Sequence, residues 1–105
     1  MATKKQFGSF QSLVSDSKVP LVVDFYAPWC GPCQLMAKVL EQVNAELKDK
    51  VKIVKINTDN YPALASQHQI QALPTLVVFN RGQAIDRIEG VVPADQLMHR
   101  LQALT

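Results

Sequence analysis

The sequence predicts an α/β fold in which a central mixed β-sheet is flanked by helices on both faces. Apolar runs typical of strands alternate with segments of helical periodicity. The first buried strand leads directly into the longest helical segment, as in a β-α-β unit. The last two strands are separated by only a short turn, which makes that pair antiparallel. At 105 residues the chain has the length of a single domain, which we predict over 1–105.

The first half of the chain is predicted to start and end with strands. Residues 21–27 are almost all β-branched, aromatic or aliphatic, which indicates a strand buried on both faces. Beyond them, apolar residues fall at the spacing of one helical stripe, and a polar turn at 48–50 ends it. The predicted elements are a short edge strand over Thr3–Phe7, a helix from a Ser9 cap to Ser17, a strand over 21–27, a helix over 32–48 and a strand over 51–57.

The second half is predicted to form a short helix, a β-hairpin and a final helix. Asp59 or Asn60 is expected to cap the short helix, with Pro62 in its first turn. A stripe of leucines marks the inner face of the final helix. The predicted elements are a helix from this cap to Gln69, a strand over Thr75–Phe79, a turn at Asn80-Arg81-Gly82, a strand over Gln83–Glu89 and a helix opened by Pro93 with Leu97, Leu101 and Leu104 inward.

Cys30 and Cys33 are the only cysteines, and they stand in Trp29-Cys30-Gly31-Pro32-Cys33. Two intervening residues allow the sulfurs to meet, so the pair can close to a disulfide and reopen. Closing so short a loop stabilises a fold by roughly 2 kcal/mol, against about 3 for a fifteen-residue loop. The pair is therefore predicted to be a reactive centre rather than a structural brace.

The predicted elements put Cys30 at the N-terminal end of a helix, just beyond a strand. The helix dipole there favours a thiolate by about 0.3–1 kcal/mol, and up to about 2 in a favourable site. Lowering a thiol pKa by about 1.5 units requires roughly 2 kcal/mol, so hydrogen bonds from Cys33 are expected to help. Cys30 is predicted to be the attacking sulfur and Cys33, one turn inside, the resolving sulfur.

Trp-Cys-Gly-Pro-Cys following Val23-Asp24-Phe25-Tyr26-Ala27 resembles the thioredoxin family. Further matches run along essentially the whole chain: Lys55-Ile56-Asn57, Ala72-Leu73-Pro74-Thr75, Asn80-Arg81-Gly82 and Glu89-Gly90. The resemblance implies a thioredoxin fold and a protein-disulfide reductase that works by reversible thiol–disulfide exchange. The Cys30–Cys33 disulfide is then the redox group, and no cofactor is expected.

Asp24 is an acid in the middle of an apolar strand, and two interpretations are open. It is either a buried acid satisfied by a hydroxyl or backbone group, or a proton acceptor for Cys33 acting through water. Burial would raise its pKa towards a usable value. The resemblance favours the second interpretation, because thioredoxins carry an acid here with a lysine close by that Lys55 matches.

The resemblance also implies a docking surface for an extended segment of the target protein. The Leu73–Pro74 bond is expected to be cis beside the disulfide, with the Leu73 backbone pairing with the target. Trp29 is expected to be exposed there rather than part of the core. The apolar residues expected around the dithiol are Trp29, Gly31, Pro32, Pro74, Gly90 and Val91.

Composition and motifs exclude several other functions. A formal net charge of +2 is too small to indicate nucleic acid or an anionic membrane as a partner. No apolar stretch approaches the ~20 residues of a membrane span, and residues 1–5 lack the apolar part of a signal peptide. His68 and His99 are too far apart for a zinc-finger pattern, and nothing places a histidine as a base for Cys30. Without a dinucleotide fingerprint, electrons must arrive from another protein.

The chain departs from the commonest thioredoxin pattern at Tyr26, Gln34, Lys38 and Glu89. Lys38 replaces a proline that kinks the long helix, so a straighter helix is expected. Several of these segments are similar to the y-type thioredoxins of photosynthetic organisms. That similarity implies the cytoplasm of a bacterium such as a cyanobacterium, or the plastid stroma after loss of a transit peptide. The protein is expected to be a monomer. It also implies a ferredoxin- or NADPH-dependent thioredoxin reductase as donor and peroxiredoxins among the targets.

The sequence leaves two alternatives to a reductase open. An oxidase or isomerase of the same fold would differ in redox poise, and Gly31-Pro32 favours the reductant by resemblance only. A non-catalytic binding module would use the surface around Leu73 and Gly90. Its function would survive the loss of both thiols.

Overall fold

The computed structural model describes residues 10–104. Within them, residues 10–16 are helical and are called α1. The other elements are β1 (Leu21–Tyr26), α2 (Gly31–Leu47), β2 (Lys52–Asn57), α3 (Pro62–Gln67), β3 (Thr75–Asn80), β4 (Gln83–Glu89) and α4 (Ala94–Ala103). The strand predicted over Thr3–Phe7 and the cap predicted at Ser9 lie outside the described residues.

The four strands form one mixed sheet in the order β2-β1-β3-β4. β1 runs parallel to β2 and antiparallel to β3, while β3 and β4 form the antiparallel hairpin. The predicted mixed sheet is confirmed. Because β1 has a neighbouring strand on each side, the Cys30 segment that follows its carboxyl end lies between the ends of other strands.

Helices pack on both faces of this sheet, as predicted. Alternate residues of a strand point to opposite faces, and β1 divides its side chains accordingly. Leu21, Val23 and Phe25 pack in one cluster with Phe10 of α1 and Leu64 of α3. A second cluster joins the sheet to α2 and α4; its members include Val22, Leu76, Val78, Met36, Leu97 and Leu101. Asp24 alternates with Val23 and therefore lies on the α2 and α4 face.

Of two local features predicted from the sequence, the cap of α3 is wrong and the hairpin turn is confirmed. The cap predicted at Asp59 or Asn60 is wrong: Tyr61 is the N-cap of α3, and it makes no side-chain capping bond. In the hairpin, Arg81 and Gly82 have φ of 55° and 84°. Two successive residues of positive φ form the tight turn that matches the twist of an antiparallel pair, which confirms the predicted hairpin.

Candidate active site

Cys30 and Cys33 are joined in a disulfide at the start of α2, with their Cα atoms 5.2 Å apart. Cys30 is the N-cap residue, and Gly31 and Pro32 form the first helical positions. The Cys33 amide donates a hydrogen bond of 3.2 Å to the Cys30 Sγ. This is the hydrogen bond expected from the sequence, because a capping side chain satisfies an N–H that the first helical turn leaves without a partner.

The two cysteines differ in whether they line a surface cavity. Both residues are nearly buried, with 6% of Cys30 and 4% of Cys33 exposed. Cys30, however, lines an open cavity of about 520 Å³, and Cys33 is not among its lining residues. An approaching disulfide therefore meets Cys30 first.

The cavity joins predicted and unpredicted residues. Trp29, Gly31, Pro32 and Leu73 line it, as the docking surface predicted from the sequence requires. Sequence reasoning missed four further lining residues: Thr58, Ala65, Ile70 and Gln71. They come from the loop after β2, from α3 and from the α3–β3 connection, where no periodic pattern marks a function. The only available signal was the adjacency of Ile70 and Gln71 to the Ala72-Leu73-Pro74 motif.

Trp29 is an exposed ring held by a distant acid. Its side chain is 72% exposed, which confirms the expected placement outside the core. The indole Nε1 donates to the carboxylate of Asp59, at 3.1 Å from Oδ2 and 3.4 Å from Oδ1. Asp59 therefore orients Trp29 beside the cavity instead of capping α3.

Pro74, Gly90 and Val91 form a second group, which adjoins Leu73 through the Leu73–Pro74 bond. The Leu73–Pro74 bond is cis, as expected. The Gly90 amide donates to the Pro74 carbonyl at 2.9 Å, and Gly90 has a φ of 88° that favours glycine. Val91 is 41% exposed. None of these three residues lines the cavity, so the predicted docking residues fall into two adjoining groups.

Asp24 is 1% exposed, and neither of its oxygens has a hydrogen-bond partner among residues 10–104. No hydroxyl or backbone group among these residues donates to Asp24, so the interpretation of Asp24 as a hydrogen-bonded structural acid is wrong within that range. Burial raises the pKa of Asp24 from 3.8 to about 6, and the positive charge of Lys55 opposes part of that rise. The Lys55 Nζ also lies 5.7 Å from the centre of the Tyr26 ring.

The two histidines do not contribute to this site. His68 packs against the rings of Phe10, Phe25 and Phe79 at centroid distances of 5.6–5.7 Å. Burial there, together with the charge of Arg87, lowers its pKa. Among residues 10–104, no three His, Cys, Asp or Glu side chains are grouped so that they could hold a metal ion. No helix in that same range is both long and apolar enough to cross a membrane.

Comparisons with known proteins agree with this geometry. The Thioredoxin family model matches residues 2–103. A thioredoxin-like protein of Synechocystis is 56% identical over 97% of this chain and 97% of its own length. Chloroplastic thioredoxin Y2 of Arabidopsis thaliana is 50% identical over 96% of this chain, which spans 60% of that protein.

Solved structures give the same result. A crystal structure of chloroplastic thioredoxin z superposes with a TM-score of 0.85 and 39% identity, over 92% of this chain and 88% of that one. The oxidised mitochondrial thioredoxin 3 of Saccharomyces cerevisiae gives a TM-score of 0.83 and 32% identity, over 92% and 89% of the two chains.

Proposed function

The chain belongs to the thioredoxin family, whose members reduce protein disulfides by thiol–disulfide exchange, and we propose that its two sulfurs have unequal roles in that reaction. Cys30 is the attacking sulfur and Cys33 the resolving sulfur. The observation that carries this assignment is that Cys30 lines the cavity while Cys33 does not. The hydrogen bond from the Cys33 amide to the Cys30 Sγ adds stabilisation for a Cys30 thiolate.

The reaction proceeds in two successive thiol–disulfide exchanges. The Cys30 thiolate attacks one sulfur of the target disulfide; the target S–S bond breaks, and the departing thiolate takes a proton from solvent. Cys33 then loses its proton and attacks the Cys30 Sγ in the mixed disulfide. The second target sulfur leaves as a thiolate and is protonated, so the target is reduced by two electrons and Cys30–Cys33 is oxidised.

Asp24 is the proposed acceptor of the Cys33 proton, acting through water. A carboxyl with a pKa of about 6 is mostly ionised near neutral pH, yet it holds a proton more readily than an exposed acid. Lys55 supports this role by limiting how far burial raises that pKa. Both residues lie on parallel strands, whose carboxyl ends are at the end of the sheet where Cys30 and Cys33 follow β1.

The proposed docking surface has two parts that adjoin at Leu73. Trp29, Gly31 and Pro32 belong to the cavity, and Leu73 offers its backbone to an extended target segment. Pro74, Gly90 and Val91 form the second part, tied together by the Gly90–Pro74 hydrogen bond. The exposed rings and aliphatic groups supply apolar contact around the reacting sulfurs.

Thioredoxins are recycled by thioredoxin reductases and act on proteins that carry reducible disulfides. For this chain we propose a ferredoxin- or NADPH-dependent reductase as donor and peroxiredoxins among the targets, because its relatives include y-type thioredoxins. Cyanobacterial and chloroplastic relatives support a bacterial cytoplasm or the plastid stroma as the location. Residues 1–105 act in this proposal as one monomeric domain.

Trapping with single cysteine variants tests the assignment of roles. Cys33→Ser is expected to accumulate covalent mixed disulfides with target proteins in an extract, because its Cys30 thiolate attacks but cannot be released. Cys30→Ser is the matched control and is expected to trap few. Equal trapping by both variants would overturn the assignment, and a double variant that kept its function would favour a binding module.

A further inference from the structure

The C-terminal turn of α3 contains a residue type that its backbone does not favour. Gln69 has a φ of 55°. Its amide donates to the Ser66 carbonyl, and the Ile70 amide donates to the Ala65 carbonyl, both at 3.0 Å. These two bonds form the Schellman motif, in which the left-handed position is usually glycine. A glutamine there is strained, and support from outside the helix can offset that strain.

Arg87 of β4 supplies that support from eighteen residues away. Its Nη1 donates to the His68 carbonyl at 2.7 Å and its Nη2 to the Gln69 carbonyl at 2.6 Å. A cation satisfies helix-terminal carbonyls well, because the C-terminal end of the helix dipole is negative and charge-assisted bonds are stronger than neutral ones. The guanidinium is also within 3.5 Å of the Glu89 carboxylate through its Nε.

The chain that follows these two carbonyls forms a wall of the cavity at the dithiol. Ile70, Gln71 and Leu73 line that cavity together with Cys30. On the other side, Glu89 immediately precedes Gly90, whose amide holds the Pro74 carbonyl. Arg87 therefore contacts the beginning of the segment over 68–74 and lies beside the loop that holds its end.

We propose that Arg87 is a positioning residue that fixes the wall over 70–73 for docking of protein targets. The inference rests on the proposed attack of Cys30 on a target disulfide inside that cavity. Arg87 acts through backbone carbonyls and is not assigned any contact with the reacting sulfurs. Its loss affects substrates that need the wall, which are extended protein segments, and spares small disulfides that need only Cys30.

The test compares two substrates in Arg87→Met, which keeps the aliphatic stem and removes the charged fork. For the disulfides of insulin, we expect kcat/KM to fall about three- to tenfold, mainly through KM, as the loss of one or two hydrogen bonds predicts. For a small aromatic disulfide, the rate is expected to stay within about twofold. Arg81→Met, at the far end of the hairpin, is the matched control and is expected to leave both rates unchanged.

Two further variants keep the test decisive if Arg87→Met folds poorly. Arg87→Lys keeps the charge but lacks the fork, and an intermediate KM for insulin is expected. Adding Gln69→Gly to Arg87→Met removes the strain that the Arg87 hydrogen bonds offset, and it is expected to restore part of the insulin activity. Failure of this rescue, together with an unchanged KM in Arg87→Lys, would contradict a positioning role.

Amide hydrogen exchange separates this inference from the proposed function. Faster exchange at 71–73 in Arg87→Met supports the positioning role of Arg87 whether or not the protein reduces insulin. An equal loss on both substrates would mean that Arg87 acts on the dithiol itself, and unchanged insulin kinetics and exchange would mean that it positions nothing. A parent protein that fails to reduce insulin contradicts the proposed function instead.

Discussion

Asp24 and Lys55 are register partners on the parallel strands β1 and β2, and their side chains lie on the same face of the sheet. The lysine charge stabilises the carboxylate, while burial disfavours it more strongly, so the pKa of Asp24 rises to about 6. An acid with no hydrogen-bond partner in the described residues 10–104 costs the fold stability when it ionises. The same property suits it to exchange a proton near neutral pH.

Asp24→Asn is expected to change how stability depends on pH. The parent protein binds the Asp24 proton more tightly when folded than when unfolded, so its stability falls as pH rises from about 4 to about 6. Because burial raises the pKa of Asp24 from 3.8 to about 6, ionisation of Asp24 lowers the unfolding free energy of the parent by about 3 kcal/mol. The variant has no carboxyl at this position and does not lose that stability. Urea unfolding at several pH values should therefore show the variant gaining about 2–3 kcal/mol on the parent between pH 4 and 7.5.

Asp49→Asn, at an exposed turn, is the matched control for that experiment. Its unfolding free energy should follow the parent at every pH. If the unfolding free energies of Asp24→Asn and the parent differ by the same amount at every pH, the Asp24 carboxyl has the same pKa in the folded and unfolded protein.

Asp24→Asn is also expected to slow resolution of the mixed disulfide. In the parent, the rate should rise with pH around a midpoint near 6, as Asp24 becomes able to accept the Cys33 proton. The variant should lack this inflection and react about 100-fold more slowly near pH 7, at the lower end of the range that general-base catalysis contributes. Stopped-flow reduction of a protein disulfide measures both, and an identical pH profile would leave Asp24 without a role in exchange.

Lys55→Met is expected to move that inflection to higher pH. Removing the lysine takes away the charge that lowers the pKa of Asp24, so the carboxyl should titrate above 6. Lys52→Met, an exposed lysine on the same strand, serves as the control and should leave the midpoint in place. An NMR titration of the Asp24 carboxyl carbon follows the midpoint directly; a shift downward would contradict the assigned electrostatics.

Asp59→Ala is expected to release the Trp29 indole. Because Trp29 is the only tryptophan, fluorescence reports this ring alone. Loss of the 3.1 Å hydrogen bond should lower the anisotropy of the ring and reduce activity on protein disulfides about two- to tenfold, the range expected for one hydrogen bond. Asp59→Asn keeps an acceptor oxygen, so it should retain most of the anisotropy and most of the activity of the parent. If Asp59→Ala and Asp59→Asn behave alike, the acceptor oxygen is not what orients Trp29.

Gly90→Ala is expected to destabilise the protein by about 1–2 kcal/mol through backbone strain alone. A Cβ at Gly90 would meet no atom within 4 Å, but its φ of 88° disfavours any side chain. Gly31→Ala is the matched control: its Cβ is equally unobstructed and its φ is not positive, so no stability loss is expected. Equal unfolding midpoints for the two variants would mean that the loop at Gly90 relaxes without cost.

The order and type of elements could be predicted from sequence because both depend on local patterns. The apolar run of β1 and the apolar stripe of α2 record which faces are buried. The observed bounds differ from the predicted ones by at most two residues. The Cys30–Cys33 pairing was equally accessible, since two residues between the sulfurs leave little freedom in their placement.

Only the tertiary structure decided the contacts between residues far apart in the chain. The sequence predicts Asp59 or Asn60 as a helix cap, because either residue before a helix is a good local signal; the fold instead brings Asp59 to Trp29, thirty residues away. Arg87 reaching the carbonyls of His68 and Gln69 has no local signature at all. Such pairings depend on how the sheet and helices pack, and packing is set by the whole core rather than by any one segment.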